Sequence, residues 1–184
     1  KQNVEWTDWN SDAAIKICWR NWGRQIRVKS APNLMSTQYI QAWKNEMVKC
    51  TNAIKTWYDG LPQDKKFLFC GIKVGWESAI GMGSFYYPDG NSFLNLPESN
   101  DPVTGIDANN PPSRGVQTIG FAAVKTAGIA DKGIMTEQMQ AEVVRRHLES
   151  MSKTVFDQGI PRDHIFTHCG GWKEGEALYQ AALN

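Results

Sequence analysis

Apolar positions along the chain follow two alternating rhythms. Between residues 37 and 59, Tyr39, Ile40, Trp43, Met47, Val48, Ile54, Trp57 and Tyr58 recur at three- and four-residue steps, the spacing that gathers side chains on one face of a helix. Ser36 stands where an N-cap belongs. Gly60 and Pro62 end the pattern, and residues 67–74 form a nearly continuous apolar run that predicts a strand covered on both faces. The same order then returns. Met139, Val143, Val144, Leu148, Met151, Val155 and Phe156 predict a second amphipathic helix after Thr136, and residues 164–168 predict a short strand.

The two connectors match. Tyr58, Asp59, Gly60, Leu61, Pro62 and Asp64 correspond to Phe156, Asp157, Gly159, Ile160, Pro161 and Asp163. Each connector runs from an aromatic through Asp to a glycine free to take the left-handed conformation that ends a helix, then to an apolar residue, Pro, and Asp before the strand. Two helix-turn-strand units built alike predict parallel strands in one sheet, and a third helix starting near Glu174, with Ala177, Leu178 and Ala181 facing inward, continues the alternation. The expected fold is α/β, made of parallel β/α repeats like those of a TIM barrel, whole or partial. Residues 1–184 read as a single domain. Its one anomaly is the stretch 78–135, rich in Pro, Gly and Asn and far longer than an ordinary βα connection. Loops of this length carry binding or lid functions, so this one is expected to pack over the strand ends.

Composition narrows the function. A complete eightfold barrel takes about 250 residues, and this chain has 184. Its 20 basic residues balance 19 acidic ones for a net charge of +1, leaving no footprint for nucleic acid or an anionic membrane. No stretch approaches the roughly 20 apolar residues of a membrane span. The first residue is Lys, as in a processed or excised product, so the sequence leaves localisation open. Cys18, Cys50, Cys70 and Cys169 are scattered without metal-type spacing and are expected to be buried thiols; no metal or cofactor is implied.

Parallel strands gather the residues that follow them at one end of the sheet, where active sites form. One strand delivers Gly75, Trp76 and Glu77 there; the other delivers His168, Gly170, Gly171 and Trp172. A carboxylic acid beside an apolar ring loses hydration and holds its proton more readily. Glu77 next to Trp76 is therefore the candidate catalytic acid/base, and His168 a substrate contact. Half of the tryptophan, Trp6, Trp9, Trp19 and Trp22, falls in the first 22 residues among Glu5, Asp8, Asp12, Arg20 and Asn21. Indoles stack on the flat C–H faces of sugars while planar polar groups bond the hydroxyl rim. Trp19, Arg20, Asn21, Trp22, Trp76, His168, Trp172 and Tyr86 of the long loop make up the expected substrate-binding set. Gly81 and Gly83 lack the third glycine and helix of a dinucleotide fingerprint, and no Walker loop, nucleophile elbow or zinc-protease motif occurs.

The apolar strand ending in Gly75, Trp76 and Glu77, the Trp-rich segment before it, and the later run from Ile165 to Gly171 resemble the middle of a (β/α)8-barrel glycoside hydrolase, of the retaining clan whose acid/base follows the fourth strand. That clan carries Asn before the acid/base, where this chain has Trp76. The resemblance implies cleavage of O-glycosidic bonds in an oligo- or polysaccharide, a secreted or periplasmic location, and a nucleophilic Glu after the seventh strand, about 5 Å from the acid/base. Counting Glu77 as the end of strand four puts that nucleophile beyond Asn184, in the remainder of a larger barrel; Asp8, Glu98 and Asp107 are the substitutes inside the chain. Two other readings compete: a non-catalytic carbohydrate-binding module that uses the tryptophans, and a β/α scaffold with no small ligand.

Overall fold

A computed structural model describes residues 1–15, 17–21, 25–78, 80, 84–85, 118–169 and 176–181. In chain order the elements are β1 (Ile17–Asn21), β2 (Gln25–Lys29), α1 (Thr37–Asp59), β3 (Ile72–Ser78), β4 (Ser84–Phe85), α2 (Phe121–Thr126), α3 (Glu137–Asp157), β5 (Ile165–Cys169) and α4 (Ala177–Gln180). Short 3-10 turns at Gln63–Leu68 and Arg162–His164 lead into β3 and β5. The fold is mixed α/β. β3 and β5 pair in parallel, and β2, β1 and β4 form a separate antiparallel sheet in that order. Among the described residues the parallel sheet has these two strands and is not a closed barrel.

The helices begin where their caps place them. Ser36 Oγ accepts the backbone N–H of Tyr39 at 3.4 Å, and Thr136 Oγ1 accepts that of Met139 at 3.3 Å. α3 is the central helix, burying Ala141, Val143, Val144, His147, Leu148, Thr154 and Val155. α1 is more loosely covered, with Thr51 its buried residue, but Met47, Ile54 and Tyr58 pack against the cluster of Phe69, Val74, Val155 and Ile160. The twin connectors carry their likeness into structure, since Pro62 and Pro161 each precede a 3-10 turn. Their glycines differ: Gly159 is left-handed at φ +88°, whereas Gly60 is helical at φ −75°.

Residues 67–74 do not form one strand, because Pro62 starts a 3-10 turn that carries Phe67 and Leu68 out to solvent, and β3 begins only after Gly71. Nor is the sheet covered on both faces: Ile72, Val74 and Ile165 turn toward the helices, while Lys73, Phe166 and Trp76 are exposed. The end of the long loop is core, not lid. Ile119, Ala122, Ala123 and Val124 are at most 1% exposed, because residues 121–126 form a helix that packs on α3; residues 86–117 lie outside the described residues. Cys50 and Cys70 are exposed rather than buried. The expected third helix is the short α4, whose Ala177 and following Ala181 join the α3 cluster.

What positions the strand ends is the closeness of β3 to β5. A Cβ at Gly71 would lie 2.4 Å from the carbonyl oxygen of His164, and one at Gly75 would lie 2.5 Å from that of His168 and 2.7 Å from Leu148 Cδ2. Both glycines have positive φ, +141° and +79°. Gly75→Ala is therefore expected to cost about 2–3 kcal/mol of stability in urea unfolding. Gly128, at φ +68° with open space where a Cβ would go, should lose only about 1 kcal/mol on the same change. Equal losses at the two positions would contradict the close-approach account.

Candidate functional site

The pairing of β3 with β5 is regular from Ile72 opposite Ile165 to Val74 opposite Thr167, and resumes with Ser78 opposite Cys169. Between those points Gly75, Trp76 and Glu77 face the single residue His168. This bulge lies at the C-terminal end of the parallel pair, and bulges at such places re-aim side chains. Its backbone is unusual as well. Glu77 has φ +48°, the one non-glycine residue with positive φ among the described residues. Glutamate gains nothing locally from that conformation, which costs on the order of 1–2 kcal/mol.

Trp76, Glu77 and His168 thus share one bulge of the paired backbones. The structure places them differently from expectation in one respect. Trp76 is 85% exposed and does not enclose the neighbouring carboxylate, while Glu77 and His168 are half-buried. The indole is open to solvent, and the carboxylate and imidazole come from the adjoining backbone positions of the same bulge.

The remaining candidates separate from this group. Trp19, Arg20 and Asn21 lie on β1, opposite Arg27, Ile26 and Gln25 of β2; their side chains, and Trp22, Tyr86 and Trp172 altogether, lie outside the described residues, as do Glu98 and Asp107. Trp6 and Trp9 both make contacts within the fold. Trp6 is buried and donates Nε1–H to the Lys1 carbonyl, and Trp9 stands edge-on to Phe121 at 4.9 Å and donates to the Gly133 carbonyl at 2.7 Å. Asp8 accepts the backbone N–H of Trp9. Among the described residues no group of His, Cys, Asp and Glu side chains is arranged to hold a metal ion. No family model, curated protein or solved structure matches the chain.

Two titratable residues are buried: Glu5, which the sequence places among the polar groups of the tryptophan-rich segment, and His147, to which it gives no role. Glu5 is 1% exposed, with Oε2 accepting the Ala122 N–H at 3.2 Å and Oε1 without a hydrogen-bond partner among the described residues. Burial pushes its carboxyl up to about 8 against the opposing pull of backbone N–H groups. His147 lies between Tyr39 and Trp43 of α1, its ring edge-on to Trp43 at 5.6 Å. Burial lowers it to about 4, so the ring is neutral. His147 was legible, standing four residues after Val143 and three after Val144 on the inward stripe of α3. Nothing in the pattern around Glu5 marks it as buried.

Because Glu5 holds its proton to about pH 8 in the folded protein and to about 4.5 when unfolded, the stability it confers is complete below pH 4.5 and is lost as pH rises toward 8. Relative to Glu5→Gln, the wild-type protein should therefore lose stability steadily from pH 5 to pH 8 in urea titrations. A difference that stays flat across that range would show that Glu5 is not buried as a protonated acid.

Proposed function

We propose that this chain is a carbohydrate-active β/α domain of the (β/α)8-barrel glycoside hydrolase type, with Glu77 as general acid/base. The supporting observation is the bulge that sets Glu77, at φ +48°, beside Trp76 and opposite His168 at the C-terminal end of the parallel strands. Backbone strain at a strand end persists where function requires the side chain's direction. In the reaction Glu77 gives its proton to the glycosidic oxygen as the bond to the anomeric carbon breaks, and a second carboxylate attacks that carbon. In the second half Glu77 takes a proton from the incoming water. Trp76 stacks on the sugar face and His168 bonds a hydroxyl. The larger barrel implied by the resemblance would supply the second carboxylate.

The exposure of Trp76 favours one other reading, a carbohydrate-binding module in which the indole supplies most of the affinity and Glu77 only accepts hydrogen bonds.

Substitution separates the two. Glu77→Gln should lower turnover of unactivated glycosides about a thousandfold with little change in KM, and far less for dinitrophenyl glycosides, whose leaving group needs no proton. Trp76→Ala should weaken sugar binding about tenfold in either case. Unchanged turnover in Glu77→Gln would eliminate the acid/base role, and wild-type protein that binds sugar without hydrolysing any glycoside would establish the module.

A further inference from the structure

The bulge changes which face of the parallel pair each side chain occupies. A Cβ at Gly71 would lie 2.7 Å from Phe166 Cε2, so Gly71 and Phe166 share a face. Ile72 and Val74 turn the other way, onto the cluster that includes Val155 of α3, and Lys73, opposite Phe166 in the register, returns to the face of Phe166. At the bulge this alternation reverses. A Cβ at Gly75 would lie 2.7 Å from Leu148 Cδ2 of α3, so Gly75 follows Val74 toward the helices, and Trp76 turns to the outer face that carries Lys73. The extra residues of the bulge belong to β3, so alternation along β5 is unbroken and His168 lies on the face of Phe166.

The outer face thus carries two like pairs. Phe166 stands across from Lys73, and Trp76 across from His168; in each an aromatic ring is matched with a side chain that can bond a hydroxyl. Phe166 is 52% and Trp76 85% exposed, and solvent-facing aromatics on one face make the apolar surface that marks a contact with another molecule. Because Trp76 is level with His168, the two rings are offset by about 7 Å along the strands and about 5 Å across them. That offset is too wide for both to stack on one pyranose ring, and it suits neighbouring rings of a chain.

We infer that the outer face of β3 and β5 holds two successive sugar subsites, Trp76 with His168 and Phe166 with Lys73, which take adjacent rings of an unbranched oligosaccharide. Each ring receives an apolar face and a polar partner. A branch on the stacked side of either ring would lift the chain from the sheet. The inference rests on Trp76 as a sugar platform, which both accounts of the function share.

Calorimetry on the full chain tests it, with Glu77→Gln in place so that no sugar is cleaved and the wild type titrated alongside, using cello-, xylo- and manno-oligosaccharides from one ring to five. In a series that binds, affinity should rise about tenfold from one ring to three and then level off. Phe166→Ala and Phe166→Leu should both abolish that rise and leave the affinity for one ring unchanged, whereas Phe166→Tyr should retain it. Phe166→Leu keeps the apolar bulk of the side chain, so its effect reads stacking and not folding. Trp76→Ala should weaken binding at every length. Affinity independent of chain length, or a rise that survives Phe166→Ala, would overturn the second subsite and leave the Trp76 platform standing. Failure of every sugar to bind either protein would overturn both.

Discussion

The architecture depends on how closely two backbones can approach. At Gly75 the chain passes so near the His168 carbonyl and Leu148 that no side chain fits, and at Gly71 it passes equally near His164. These contacts lock β3 against β5 at both ends and set the register. With the register fixed at Val74 and again at Ser78, the residues in between have no regular partner and must bulge. The left-handed backbone of Glu77 is the local expression of that constraint. The bulge that holds the candidate residues therefore follows from how the two strands pack.

Helix α3 converts this local lock into a core. It lies between the parallel pair and α2, with Leu148 facing Gly75 and Val155 in the cluster on which α1 packs. Arg146 donates to the Ala127 carbonyl just past the end of α2 and pairs with Glu142, which also binds Arg145; those guanidinium groups hold the Glu142 carboxyl down at about 2. On the opposite side, His147 meets the aromatic rings of α1 as a neutral ring. The buried acid Glu5 ties the N-terminal segment to the first turn of α2. Glu5 and His147 act on stability in opposite directions with pH, because burial favours the protonated carboxyl and the unprotonated imidazole.

The helices and their caps were legible because periodicity and capping are local. Ser36 and Thr136 start α1 and α3 as the sequence predicts, and the matched connectors foretold the parallel pairing of β3 and β5. The run from Phe67 to Val74 misled because apolarity alone does not distinguish a strand from a turn that leaves Phe67 and Leu68 exposed; Pro62 and Gly71 held the missing information. Glu77 and His168 stand out in the sequence as residues expected just after strands, and the structure puts both within the last residues of β3 and β5. The bulge that joins them was not legible, because register depends on contacts between residues some ninety positions apart. Trp6 and Trp9 show the reverse failure, since their polar neighbours suggested a ligand surface while their ring N–H groups were bonding carbonyls within the fold.

On the proposed function, the left-handed backbone that the bulge gives Glu77 carries the carboxylate that acts as acid/base. Replacing Glu77 with glycine tests this most directly, because glycine relieves the φ of +48° and deletes the side chain in one step. Glu77→Gly should be more stable to urea than the wild type by about 0.5–1 kcal/mol, with the gain limited by the greater entropy of the unfolded chain, and should lack the proposed glycoside hydrolysis. A Glu77→Gly protein that is less stable than the wild type, or that retains turnover, would contradict this reading.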